Sequence, residues 1–79
     1  MTPREAYEQA WEQGYGTTEQ EAIIATDAYW YYLYARDVIK GRFPLGETSI
    51  AKSGYWKYYL NDVPMSEEDR VMLTLKYHA

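Results

Sequence analysis

The segments Glu21-Ala-Ile-Ile-Ala-Thr-Asp-Ala-Tyr-Trp-Tyr-Tyr32 and Glu47-Thr-Ser-Ile-Ala-Lys-Ser-Gly-Tyr-Trp-Lys-Tyr58 carry nearly the same pattern 26 residues apart. A period of this size signals one supersecondary unit copied and stacked, each copy burying a face it cannot bury alone. Units of a longer and a shorter helix then span approximately 3–26, 27–52 and 53–79, within one domain covering 1–79. The expected fold is all-α: about six short helices as three stacked hairpins, a small solenoid-like or bundle domain. With a one-residue slip, Tyr7, Ala10 and Gly16 of the first unit match Tyr32, Ala35 and Gly41 of the second.

Helix punctuation supports this division. Thr2-Pro-Arg-Glu5 is a capping box with proline at the first helical position. Pro3, Ala6, Tyr7, Ala10, Trp11 and Gly14 then share one face of the first helix, opposite Glu5, Glu8, Gln9, Glu12 and Gln13. Thr18-Glu-Gln-Glu21 predicts a second capping box, and Asp27 caps a third helix running to Lys40, closed by Gly41 in the left-handed conformation. On that third helix Ala28, Tyr31, Tyr32, Ala35, Val38 and Ile39 form the expected core face, with Trp30, Leu33, Tyr34 and Asp37 pointing away. Pro44 opens a weak fourth helix through Leu45, Ile50 and Ala51. Ser53 caps a fifth from Tyr55 to Asp62, in which Trp56, Tyr59, Leu60 and Val63 form one stripe and Tyr55 and Tyr58 another. Ser66, followed by three acids, caps a sixth whose expected buried face is Val71, Met72, Leu75 and Ala79. No stretch alternates with period two for long enough to be a strand.

A chain of 79 residues buries only roughly 60% of its unfolded surface, so its core must be dense. Ten Tyr, three Trp and one Phe supply that density. There is no cysteine, hence no disulfide or thiolate chemistry. The sequence shows neither a signal-peptide pattern nor an apolar run of membrane-spanning length, which sets the expectation of a cytoplasmic protein without a membrane partner.

Charge is unevenly placed. Residues 1–35 hold one arginine against six carboxylates, a net of −5; residues 36–57 hold five cations against two acids, a net of +3; and the remainder is −2. The resulting basic centre between acidic flanks can orient a partner. It is thin for nucleic acid, and the acids Glu5, Glu8, Glu12, Glu19 and Glu21 suit an ordinary solvated helix face as well as mimicry of nucleic acid.

No catalytic constellation emerges. The one histidine, His78, is penultimate and expected to fray, and no Cys/His/Asp/Glu cluster has metal-ligand spacing. Glu67, Glu68 and Asp69 are accounted for by the helix dipole. Gly14-Tyr-Gly16 and Lys40-Gly-Arg42 lack the strand and glycine spacing of phosphate loops. The expectation is a protein that is not an enzyme and uses no cofactor or metal.

The string Tyr34-Ala-Arg-Asp-Val-Ile-Lys-Gly-Arg-Phe-Pro-Leu-Gly-Glu-Thr-Ser-Ile-Ala-Lys-Ser53, running on into Gly54-Tyr-Trp-Lys-Tyr58, resembles tandem short helical repeats of uncharacterised bacteriophage and bacterial proteins. The likeness covers about a third of the chain, and the first unit lacks the Lys-Gly-Arg-aromatic-Pro string. It implies an all-helical fold and a small, phage-encoded protein that binds and inhibits or redirects a host macromolecule. No reaction comes with it.

The functional expectation is therefore a protein-interaction module acting by steric occlusion on a host or viral protein, with a structural homo-oligomer and nucleic-acid binding or mimicry as alternatives. The expected contact residues are the aromatics Trp30, Tyr34 and Trp56 with the cations Arg36, Lys40, Arg42 and Lys57, because aromatics and arginine dominate interface energetics.

Overall fold

A computed structural model describes residues 1–77; the expectations placed on His78 and Ala79 lie outside the described residues. The described residues form six α-helices and one turn of π-helix, with no strand among them: α1 (Pro3–Gln13), α2 (Thr18–Ile24), α3 (Ala28–Tyr34) continuing as the π-turn (Ala35–Ile39), α4 (Glu47–Ile50), α5 (Trp56–Asp62) and α6 (Glu67–Lys76). None is long and apolar enough to cross a membrane.

Short polar side chains satisfying orphan amides cap α1, α2, α3 and α6; α4 and α5 have no side-chain cap, and Ser53, the expected cap of α5, accepts from the Tyr55 amide ahead of the helix. Thr2 Oγ1 accepts from the Glu5 amide at 3.2 Å, while the Thr2 amide donates to Glu5 Oε1 at 2.9 Å. Gly14, at φ 84°, ends α1. The second capping box lies one residue earlier than expected, with Thr17 paired to Gln20. That shift leaves the Glu21 carboxylate available to the core. Asp27 and Ser66 cap α3 and α6 as expected. α4 is a single turn opened by Gly46 at φ 80°, and Pro44 and Leu45 remain in an exposed loop.

α3 is the central element, and its faces depart from a simple 3.6-residue period. Both the Lys40 and the Gly41 amides donate to the Ala35 carbonyl, so the turn is wide and the reversal falls on Lys40, at φ 57°, rather than on Gly41. The widened turn rephases the residues at its end: Ile39 is exposed, although a regular helix would bury it. Tyr31, Tyr32 and Ala35 are buried as expected, but so is Tyr34, at 1% exposure. Tyr34 is buried because α3 is covered from both sides. Its hydroxyl reaches Glu21 of α2, whereas Tyr31 turns to Phe43 and Tyr59.

The core is built around a loop rather than around a helix seam. Phe43 stacks on Tyr31 at 4.7 Å and meets Tyr34 edge-on at 5.0 Å. Its carbonyl accepts from the Tyr31 hydroxyl, and its amide donates to the Tyr59 hydroxyl at 2.9 Å. Tyr59 in turn donates to Glu47 Oε2 at 2.8 Å. Glu47, 4% exposed, receives both arms of the Arg42 guanidinium at 2.8 and 2.9 Å, and Arg42 also approaches Asp69 of α6 at 3.7 Å. A related arrangement joins α3 to α2, where the Tyr34 hydroxyl donates to Glu21 Oε2 at 2.6 Å and lies against the Gly16 backbone. Among the described residues, no buried side-chain polar atom lacks a partner.

α1 packs along α2 and α3 packs on α4, but α5 and α6 touch at few points. α6 is anchored instead by Leu73, by the edge contact of Tyr77 with Trp56 at 5.5 Å, and by Arg42. The expected burial of Val71, Met72 and Leu75 is overturned: all three are exposed, Leu75 at 76%. A helix touching its neighbours only along the Leu73 line has no second element to cover that flank.

Arg42→Ala should lower unfolding free energy by about 3 kcal/mol, since it strands a buried carboxylate. Arg36→Ala, whose carboxylate partner is a quarter exposed and keeps its hydrogen bond from Tyr7, should cost less, about 1 kcal/mol. Urea unfolding measures both, and equal losses would contradict the assignment. A Cβ on Gly16 would stand 2.2 Å from the Tyr34 hydroxyl. Gly16→Ala is therefore expected to destabilise by about 1–3 kcal/mol.

Burial above all pushes the hydroxyls of Tyr31, Tyr34 and Tyr59 well above the ordinary tyrosine range; the carboxylates of Glu21 on Tyr34, and of Glu47 on Tyr31 and Tyr59, push the same way. A pKa raised in the folded state contributes stability that is complete below the unfolded value of about 10 and is lost as pH rises beyond it. Stability should accordingly fall above about pH 10, with the tyrosinate absorbance of these three residues appearing together with loss of the helical circular-dichroism signal. Titration of all ten tyrosines with the helical signal intact would contradict it.

Candidate interaction surface

The molecule extends 33 × 21 × 18 Å. Its shortest dimension is about two helix diameters, so a helix rich in aromatics on several faces cannot have all of them covered. Most of the uncovered rings are contiguous; Tyr15, 61% exposed, is not among them. Tyr7 and Trp11, one turn apart on α1, lie 6.4 Å from each other; Tyr7 meets Trp30 of α3 at 5.2 Å; and Trp30 meets Tyr29 at 4.9 Å. Tyr29 reaches Tyr55 at the start of α5 at 5.6 Å, and Tyr55 lies 6.3 Å from Tyr58. The result is an aromatic ridge crossing three helices, with Trp11 57%, Tyr29 42% and Tyr58 45% exposed. Contiguous exposed aromatic surface marks interaction sites far more often than scattered apolar residues do.

A polar network fixes the ridge from beneath. Arg36 donates to both oxygens of Asp37, at 2.7 and 2.9 Å, and to the Tyr32 hydroxyl at 3.1 Å. The Tyr32 hydroxyl donates to Asp62 of α5, and the Tyr7 hydroxyl donates to Asp37 at 3.3 Å. Four elements are tied together by five side chains. The Arg36 hydrogen bonds hold the Asp37 carboxyl below its usual range, while burial, then Asp37, pushes the Tyr7 hydroxyl up. Two cations lie over ring faces in this region: Arg36 5.2 Å from the Tyr32 centroid and Lys57 5.4 Å from that of Tyr58.

Two grooves flank Trp11. One of about 570 Å³ is lined by Tyr7, Glu8, Trp11 and Glu12; the other, about 220 Å³, by Trp11, Gly14, Asp37, Val38 and Lys40. The smaller groove sits on the π-turn and on Lys40, the one non-glycine residue at positive φ among the described residues. Wide turns and left-handed side-chain-bearing residues concentrate at functional sites.

The seven sequence-selected contact residues do not form one face. Trp30 is half-buried within the ridge, Arg36 is in its supporting network, and Lys57 lies at its α5 end. Lys40 is exposed beside the smaller groove. Tyr34 is buried and cannot anchor a partner, because its hydroxyl is committed to Glu21. Arg42 is committed to Glu47, and half-buried Trp56 stacks on Tyr59 at 5.5 Å, so both belong to the loop-centred core. Pairing of Arg36 with Asp37 and Arg42 with Glu47 leaves the net +3 of residues 36–57 to Lys40, Lys52 and Lys57, none in an ion pair among the described residues. Sequence reasoning missed Trp11, Tyr29, Tyr55 and Tyr58. Tyr55 and Tyr58 stood out as a separate stripe on the fifth helix. For Trp11 the signal was Ala6 and Ala10, whose small side chains mark the line of closest helix approach and leave Trp11 beside it.

Among the described residues, no group of three or more His, Cys, Asp or Glu side chains could hold a metal ion. In comparisons with known proteins, no family model, no curated protein and no solved structure matches this chain.

Proposed function

We propose that this chain is a non-enzymatic protein-interaction module whose docking face is the aromatic ridge from Trp11 to Tyr58. The observation that supports it is the unbroken series of ring contacts across α1, α3 and α5, exposed at both ends and held from beneath by the Tyr7–Asp37–Arg36–Tyr32–Asp62 network. Aromatic side chains bring large contact area at low entropic cost, and a prefixed surface lowers the cost of ordering on binding. The partner is a bacterial host or viral protein, and the mechanism is steric occlusion of the surface that the ridge covers. A structural homo-oligomer is the second reading, favoured by the exposed Val71, Met72 and Leu75 of α6.

Capture of a partner from bacterial lysate by the tagged chain tests the first reading. Tyr29→Ser/Tyr55→Ser and Trp11→Ala should each weaken capture about tenfold or more, as truncated interface anchors do, while leaving the thermal midpoint nearly unchanged. Capture insensitive to all three changes would rule out the ridge. Light scattering tests the second: a concentration-independent monomer removes the oligomer.

A further inference from the structure

We propose that the groove on α1 between Tyr7 and Trp11 is a receptor for a cationic side chain, a guanidinium or ammonium carried by a basic segment of the partner. This rests on the ridge being the docking face and specifies the chemistry at one end of it. The groove is walled by two ring-bearing residues and two carboxylates in an aromatic–acid pair repeated one turn apart, Tyr7-Glu8 and Trp11-Glu12. The rings are 26° from parallel and 6.4 Å apart. Ring faces attract a cation through their quadrupole, and carboxylates beside them add charge without competing for the same space.

Helix electrostatics point independently to a cation. Glu12 lies in the last turn of α1, at the negative end of the helix dipole, and that turn carries no basic residue. An anion there is repelled by the unpaired carbonyls, and a bound cation relieves the repulsion. The first turn's Arg4 is the one cation of α1; it pairs with Glu8 at 3.6 Å with both side chains more than half exposed, a contact weak enough to exchange for another. Lys40 lies on the other side of Trp11, in the smaller groove. Residues 1–35 as a whole are at −5, so the field around the groove favours the approach of a basic segment.

The test is a nuclear magnetic resonance titration of the full chain with hexa-arginine, hexalysine and hexaglutamate at low salt. The basic peptides should shift the Trp11 indole N–H and the amides of α1, and hexaglutamate should not. Glu8→Gln/Glu12→Gln should weaken hexa-arginine binding about tenfold, the sum of two exposed charge contacts, whereas Glu67→Gln/Glu68→Gln on α6 should leave it within about twofold. Equal weakening by both double variants, or equal shifts from hexaglutamate, would overturn the groove as a cation receptor. Loss of the groove response while capture still depends on Tyr29 and Tyr55 would sink the cation assignment and leave the ridge standing. An intact response with capture indifferent to those tyrosines would sink the ridge, and with it the partner's place in the groove.

Discussion

The Glu47 carboxylate is buried in a small protein, and such a charge is tolerated only when its oxygens are fully engaged. Arg42 takes both oxygens, and Tyr59 adds a third hydrogen bond while receiving the Phe43 amide. Through that chain of contacts the loop between the π-turn and α4 becomes the centre of the core, with Phe43 as its filling. α3, α4, α5 and α6 each contribute a side chain to this centre or to its edge: Tyr31, Glu47, Tyr59 and Asp69. The Lys-Gly-Arg-Phe-Pro string thus has a structural role that its charge and aromatic content disguise.

Having its core held by tyrosine hydroxyls and carboxylates changes how the molecule divides its aromatics. Tyr31, Tyr34 and Tyr59 are buried with their polar ends paired, and each such ring brings apolar area without leaving an unsatisfied oxygen. The remaining rings outnumber the surfaces available to cover them in a body two helices thick. Ridge and core share one origin: an aromatic-rich chain folded into a helical body too shallow to enclose all its rings.

Much was legible from local pattern. The Thr2, Asp27 and Ser66 caps depend on contacts within a few residues, and the structure has them where local chemistry places them. Some of the misplaced assignments are local, as at Pro44, Gly41 and Ser53; others are tertiary. Thr17 rather than Thr18 caps α2, in an arrangement that leaves Glu21 to Tyr34, thirteen residues on. Ile39 turns outward because the helix widens at Ala35. Arg42 resembles an interface arginine in sequence, since nothing local announces that Glu47 will be buried against it.

By itself, then, the sequence determined an all-helical chain: capping boxes, Pro3 at the start of α1 and 3.6-residue periodicity act over one or two turns and need no partner. Which faces of those helices are buried was decided only by the tertiary structure. Burial depends on what packs opposite, and here that is a loop, a widened turn and long-range tyrosine–carboxylate pairs whose members stand 12 to 30 residues apart. The same cause hid the ridge. Its rings come from three helices, and their adjacency exists only once α3 is clasped between α1 and α5.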